Sequence, residues 1–271
     1  MEKYGLTYPQ KNIWLTEKFN DNNAVNNIVC SVEINEKFDE KLCSDAINYT
    51  ILKNDALRFK IVEENADAYQ VVEPFEKSTF KVVDFSNKSK SEVTKYKEKL
   101  AKEAIEPKEK LCKFEILKYS QNSGAIIMKI HHLISDAWSC SKIGSMLIEY
   151  IDKKSKNEEI DDTTPSPSYI EYIKSEEEYT SSEKYKKDEE FWNEYLKDIK
   201  EPVALKASTN ISDKKAKRYS VTLTKKESEK INKYCKENKI SPYVLFLTAL
   251  STYMYRITEH DDFIIGTPVL N

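Results

Sequence analysis

The run Lys129-Ile130-His131-His132-Leu133-Ile134-Ser135-Asp136-Ala137-Trp138-Ser139 decides how this chain is read. The sequence holds three histidines, and two of them are adjacent here. They follow the apolar stretch Ala125-Ile126-Ile127-Met128-Lys129-Ile130, which reads as a buried strand. Asp136 stands four residues after His132, where a helix from Trp138 to Ile151 is expected to begin. An imidazole at a strand end beside a helix start suits general base chemistry, because its ordinary pKa lies near neutrality and it can accept a proton at working pH.

Outward from this run, hydrophobic spacing predicts alternating helices and strands. Thr7 can cap a helix from Tyr8 to about Phe19, Asn27 to Ile34 alternates like a strand, and Asp39 to Lys53 has helical spacing through Leu42, Ala46, Ile47 and Ile51. Short strands are expected at Ala56–Val62, Ala68–Val72, Phe114–Tyr119 and Ala125–Ile130, with a charged helix at Lys90–Ala104 and the helix after Asp136 reaching about Lys154. Asp161-Asp162-Thr163-Thr164-Pro165-Ser166-Pro167-Ser168 reads as a linker, polar and broken by two prolines. A helical stretch over Tyr169–Lys197 comes next, then a strand at Arg218–Thr224, helices at Lys225–Asn238 and Pro242–Tyr255, and a last strand at Phe263–Gly266. The mixed order argues for α/β sandwich layers and against a simple doubly wound sheet.

Composition narrows the function classes. At 271 residues with 39% hydrophobic and 33% charged residues, the chain is long enough for a large core and has a soluble balance. A net charge of -3 supplies no basic field for nucleic acid. No apolar run approaches a membrane span, and the start, Met1-Glu2-Lys3-Tyr4-Gly5, has no signal region, so a cytoplasmic protein is expected. The five cysteines are dispersed with no Cys-x-x-Cys pair, which argues against a zinc site or a disulfide framework. Cys140 is read as a small buried hydrophobe.

Five segments in order resemble the condensation domains of nonribosomal peptide synthetases. Leu6-Thr7-Tyr8-Pro9-Gln10-Lys11-Asn12-Ile13-Trp14 resembles the opening motif, and Lys53-Asn54-Asp55-Ala56-Leu57-Arg58 the second. The histidine run resembles the His-His-x-x-x-Asp-Gly signature, with Ala137 where the family has glycine. Ser168-Tyr169-Ile170-Glu171-Tyr172, with Phe191-Trp192 downstream, resembles the fourth, and Ile265-Gly266-Thr267-Pro268 the fifth. The resemblance implies an α/β fold of two chloramphenicol-acetyltransferase-like lobes. The first lobe is expected over residues 1–172 and an incomplete second over residues 173–271, truncated before its later strands. Within the family the segments look most like starter domains of lipopeptide synthetases, which join a fatty acyl group from coenzyme A to a carrier-bound amino acid. Met1 lies five residues before the opening motif, which leaves the donor to arrive in trans.

The resemblance also implies the site. His132, His131 and Asp136 are the expected catalytic residues: His132 as base or as a positioning group, His131 holding the loop by hydrogen bonding, and Asp136 either orienting His132 or pairing with an arginine. Arg58, Ala137 and Trp138 are expected to support the site, Arg58 through a buried ion pair with Asp136. If position 137 needs a left-handed backbone, alanine there is strained; if it needs only a small side chain, alanine serves. Ser135 and Ser139 lack a nucleophile's surroundings, and Tyr8 and Trp14 are read as core contacts. No metal and no bound cofactor are implied: the substrates travel as phosphopantetheine or coenzyme A thioesters. The implied partners are acyl or peptidyl carrier domains, acyl-CoA and a downstream adenylation domain. Rival readings are an ester-forming acyltransferase, an epimerisation domain, or a non-catalytic module that binds carrier protein. Residues 1–271 alone are expected to be inactive, with a folded first lobe.

Overall fold

The computed structural model describes residues 1–19, 24–65, 67–160, 166–198, 203 and 219–267. Strand β1 (Tyr4–Gly5) precedes helix α1 (Tyr8–Phe19), and strand β2 (Asn27–Ile34) leads to helix α2 (Glu40–Lys53). The Asp39 carboxylate caps α2 by accepting from the N–H groups of Lys41 and Leu42. A single 3₁₀ turn, Asp55–Arg58, separates α2 from β3 (Phe59–Glu64) and β4 (Asp67–Val72). Next come β5 (Lys81–Asp84), helix α3 (Lys90–Lys102) and the long strands β6 (Cys112–Ser120) and β7 (Ser123–His131). Helices α4 (Ala137–Ser155), α5 (Tyr169–Thr180), α6 (Glu183–Leu196), α7 (Lys225–Glu237) and α8 (Pro242–Thr258) complete the described elements.

β2, β7, β6 and β5 form one sheet in that order, antiparallel except for the parallel pair β5 and β6. β1, β4 and β3 form a smaller antiparallel sheet. β7 is central in the larger sheet and covered on both faces, which is why its sequence is almost continuously apolar. Ile126, Met128 and Ile130 pack with Ile47 of α2 and Ile143 and Leu147 of α4. Ala125 and Ile127 belong to a second cluster with Leu117, Phe85 and Leu100 of α3. By alternation His131 shares the face of Ala125 and Ile127.

The chain divides into two compact units, Met1–Tyr185 and Lys186–Asn271. The first contains both sheets and nearly all of the buried side chains. In the second, Cys235 of α7 is the buried hydrophobe among the described residues, and α8 buries none of its side chains.

Several sequence expectations change. The helical stretch over Tyr169–Lys197 is two helices, because Ser181 and Ser182 turn their hydroxyls onto the carbonyls of Glu177 and Tyr179 and compete with the helix backbone. Residues 219–224 and Phe263–Gly266 carry no strand; a strand exists through pairing, and no described neighbour pairs with them. Arg218, the linker residues 161–165 and Pro268 lie outside the described residues. The expected strand at Ala56 instead opens as the 3₁₀ turn, and β5, a short and largely exposed edge strand, carried too little apolar signal to be read. Trp14 is in the core, but Tyr8 is 70% exposed at the start of α1, where no described side chain covers it.

Candidate functional site

The site forms where β7 ends and α4 begins. In β2 and β7, Asn27 pairs with His131, so the register places Asn26 across from His132. The His132 N–H donates to the Asn26 carbonyl at 2.8 Å, while the His131 N–H on the other side donates to the Leu111 carbonyl at 2.8 Å. The chain then turns through residues 132–134, closed by the Ile134 N–H on the His131 carbonyl.

The two histidines face different surroundings. His132 is exposed, whereas His131 is 1% exposed. His131 Nδ1 accepts from the Leu133 N–H at 3.1 Å, so in the neutral ring the proton sits on Nε2. Nε2 makes no hydrogen bond of good geometry, and Glu17 Oε2 of α1 lies 3.4 Å away. Burial pushes the His131 pKa below its ordinary value against the pull of the Glu17 carboxylate, which favours the neutral ring. The same Glu17 oxygen accepts from Asn26 Nδ2.

Leu133 is held at both ends of its peptide units. Its carbonyl accepts from Gln10 Nε2 of α1 at 2.8 Å, complementing the bond from its N–H to His131. Gln10 is 2% exposed and is paired with Gln70 of β4, and its Oε1 accepts from the Thr7 N–H at 2.9 Å. The N–H of Tyr8 is taken by Glu176 of α5. Thr7 therefore begins α1 without capping it by its own hydroxyl.

Asp136 is the N-cap of α4, its Oδ1 accepting from the Ser139 N–H at 2.7 Å. Burial raises its pKa, but the hydroxyl and N–H of Ser139, with the nearby His132, outweigh this and hold it below the usual carboxylate range. Ala137 is the first residue of α4 and has no positive φ, so alanine meets no left-handed strain in this backbone. Trp138 is 56% exposed, with Lys142 Nζ 5.1 Å from its ring centre. Ser135 lies 3.3 Å from the thiol of Cys140, which packs in the core and whose pKa burial raises.

The expected ion pair between Arg58 and Asp136 is absent. Arg58 donates from Nη1 to the Glu73 carbonyl at 2.9 Å, its Nε is buried without a partner, and the Asp136 carboxylate bends back onto its own helix. A cap satisfies this carboxylate locally and leaves it no need of a distant cation. Asp55 of the same segment does reach far: it accepts from the Ser168 hydroxyl and the Tyr169 N–H, fastening α5 to the 3₁₀ turn. An open cavity of about 530 Å³ is lined by Leu52, Lys53, Asp55, Arg58 and residues 166–168, and no histidine lines it. Among the described residues, no three His, Cys, Asp or Glu side chains gather as a metal site. No described helix is long and apolar enough to cross a membrane.

Sequence reasoning gave Gln10 no role beyond its motif and left Glu17 and Asn26 unassigned. The signal was present in the seven-residue spacing of Gln10 and Glu17, which puts both on one face of α1 with Trp14 between them.

The condensation domain family matches residues 1–271. The chain is 28% identical over 272 residues to surfactin synthase subunit 1 of Bacillus subtilis (strain 168), a match covering 97% of this chain and 8% of that protein. It is 27% identical over 268 residues to a plipastatin synthase protein of the same organism, covering 97% of this chain and 10% of the other. The first condensation domain of the calcium-dependent antibiotic synthetase, solved with a substrate analogue, matches with a TM-score of 0.77 at 17% identity over 97% of this chain and 63% of that one. A variant of the starter condensation domain of rhizomide synthetase, solved in complex with C8-CoA, matches with a TM-score of 0.78 at 17% identity, covering 96% and 60%. The chain thus spans 8–10% of these curated relatives and under two thirds of these solved chains. The fold is the chloramphenicol-acetyltransferase-like α/β fold of those structures. Matched by the family profile from its first residue to its last, the chain belongs to the condensation domain family.

Proposed function

We propose that the protein is the acyltransferase domain of a nonribosomal peptide synthetase that joins an acyl thioester to the amine of a carrier-bound amino acid. The amine nitrogen attacks the thioester carbonyl, the tetrahedral intermediate collapses, the C–S bond breaks, and the thiol leaves as the amide forms. The amine loses a proton in this sequence and the departing sulfur gains one, so a single base positioned at the reacting centre serves both steps. His132 takes that role, either as the base or by positioning the amine. The observation that carries the reading is an exposed imidazole on a turn tied on each side: His132 is bonded through its N–H to Asn26, and Leu133 is held through its N–H and carbonyl.

His131 holds the turn and Asp136 starts the helix behind it; Ala137 and Trp138 form the first turn of that helix. Arg58 supports the neighbouring strands through Glu73. The donor is an acyl group, a fatty acyl in our reading, delivered on coenzyme A or on a phosphopantetheine arm; a relative of the same fold was solved with C8-CoA. The acceptor rides on a carrier domain, with an adenylation domain supplying the amino acid; similarity to the surfactin and plipastatin synthases supports this setting.

The test is mass spectrometry of an aminoacyl carrier protein incubated with octanoyl-CoA and the full-length protein. Acylation of the amine is expected, falling by about 10²-fold or more in His132→Ala, the range for removing a general base. Undiminished turnover in that variant would remove His132 from the mechanism. Acylation of a hydroxyacyl carrier alone would favour the ester-forming alternative, and inversion of the amino acid without acylation would favour epimerisation. Carrier binding with no turnover of any kind would leave a binding module.

A further inference from the structure

Helix α1 touches the histidine turn at two points seven residues apart. Near its start, Gln10 donates to the Leu133 carbonyl. Near its end, Glu17 lies against His131 Nε2 and accepts from the side chain of Asn26, whose own carbonyl holds the His132 N–H. Trp14, between them on the same face, is buried in the core and fixes the helix in place. These contacts are long-range, 123 residues apart for Gln10 and Leu133.

The logic of the Glu17 contact lies in the histidine's two nitrogens. The turn depends on Nδ1 accepting from the Leu133 N–H, and Nδ1 can do this only while it carries no proton. A neutral imidazole must then carry its proton on Nε2, which burial removes from water. A donor buried there needs an acceptor beside it, and Glu17 Oε2 is 3.4 Å away. Removing that acceptor makes the other tautomer cheaper, and the other tautomer places a proton against the Leu133 N–H. The turn would then lose one of the bonds that shape it, and His132 would be held less firmly.

We propose that Glu17 is a positioning residue for His132, acting through His131 by holding its Nε2–H tautomer, with Gln10 bracing the same turn from the other end of α1. This deepens the proposed function and rests on His132 being the reacting group there. In this role Glu17 acts through His131 and not on the reacting atoms, so activity alone cannot test it.

The chain's three histidines make the measurement direct, since ¹⁵N-histidine labelling gives ring signals from His131, His132 and His260 only. Two-bond ¹H–¹⁵N spectra of the 271-residue chain are expected to show His131 with a protonated Nε2 and an unprotonated Nδ1 near neutral pH. Glu17→Ala should shift His131 toward the Nδ1–H form and lower kcat about tenfold, which corresponds to roughly 1.4 kcal/mol, with KM for acyl-CoA little changed. Glu17→Gln, which keeps an acceptor oxygen, should restore the tautomer and most of the rate. An Nδ1–H tautomer in the unmodified protein overturns the proposal and needs no variant to fold. A Glu17→Ala protein with unchanged tautomer overturns it, as does a Glu17→Gln protein whose tautomer shifts as far as in Glu17→Ala. If the tautomer moves as expected but no preparation acylates an amine, the brace stands and the proposed function fails.

Discussion

A carboxylate four residues after a histidine invites a catalytic or ion-paired role, yet Asp136 spends its oxygen on the first turn of α4. Arg58 meanwhile spends its guanidinium on a main-chain carbonyl. The two side chains should therefore act independently. In thermal or urea unfolding, Asp136→Ala is expected to cost about 1 kcal/mol, the usual value of an N-cap. Combined with Arg58→Ala, the two effects should add to within about 0.5 kcal/mol, as for sites with no shared partner. A coupling of several kcal/mol in that cycle would restore a buried pair. The sign of the pH dependence follows from the same contact. The Asp136 pKa is lowered in the folded state, so its contribution is present above the ordinary carboxylate range and lost as pH falls through its folded value. In acid the Asp136→Ala penalty should thus shrink, which unfolding curves at two pH values will read.

At the scale of elements, α1, α5 and the 3₁₀ turn form one buckle behind the histidine turn. Asp55 fastens the start of α5, Glu176 of α5 takes the first N–H of α1, and α1 braces the turn. The aromatic ring of Tyr169 packs edge-on to Phe59 with centres 5.6 Å apart, so α5 is clamped by packing as well as by the cap. Asp55→Ala leaves the Tyr169 N–H and the Ser168 hydroxyl without their acceptor and is expected to cost roughly 1–3 kcal/mol. Amide hydrogen exchange should rise first in Tyr169–Ile173 and then at the start of α1. Exchange unchanged in both segments would show that packing alone holds α5. The buckle explains why segments far apart in sequence form recognisable motifs around one loop. The resemblance named these segments; the hydrogen bonds show what joins them.

Across the whole molecule, stability is unevenly placed. The first unit owns the sheets and their two hydrophobic clusters, with β7 buried along nearly its full length. In the second, α8 exposes Tyr243, Val244, Phe246, Leu250 and Tyr253, each more than 40% accessible. At roughly 25 cal/mol per Å² of apolar surface removed from water, helices that bury so little have little to hold them against local opening. Amides of α7 and α8 are therefore expected to exchange faster than those of β6 and β7, by a factor that a native-state exchange series will give. Equal protection across both units would mean that α8 is covered in solution.

Much of this was legible in the residues themselves. The apolar run before His131 read as a buried strand, since a short run that is apolar at successive positions suits a strand covered on both faces, and the order of five motifs pointed to the family. The helices α2, α3, α4 and α7 also announced themselves through the spacing of their residues, because that signal is local. The roles of paired side chains were not local. Adjacent residues on a strand must point apart, but both faces of β7 are covered, so alternation could not say which histidine reaches solvent. That was decided where the strand stops and the turn begins. Nor could spacing place Glu17 against His131, or separate Arg58 from Asp136. Those pairings depend on how α1 and the smaller sheet pack over the larger one, and packing of that kind exists only once distant parts of the chain have met.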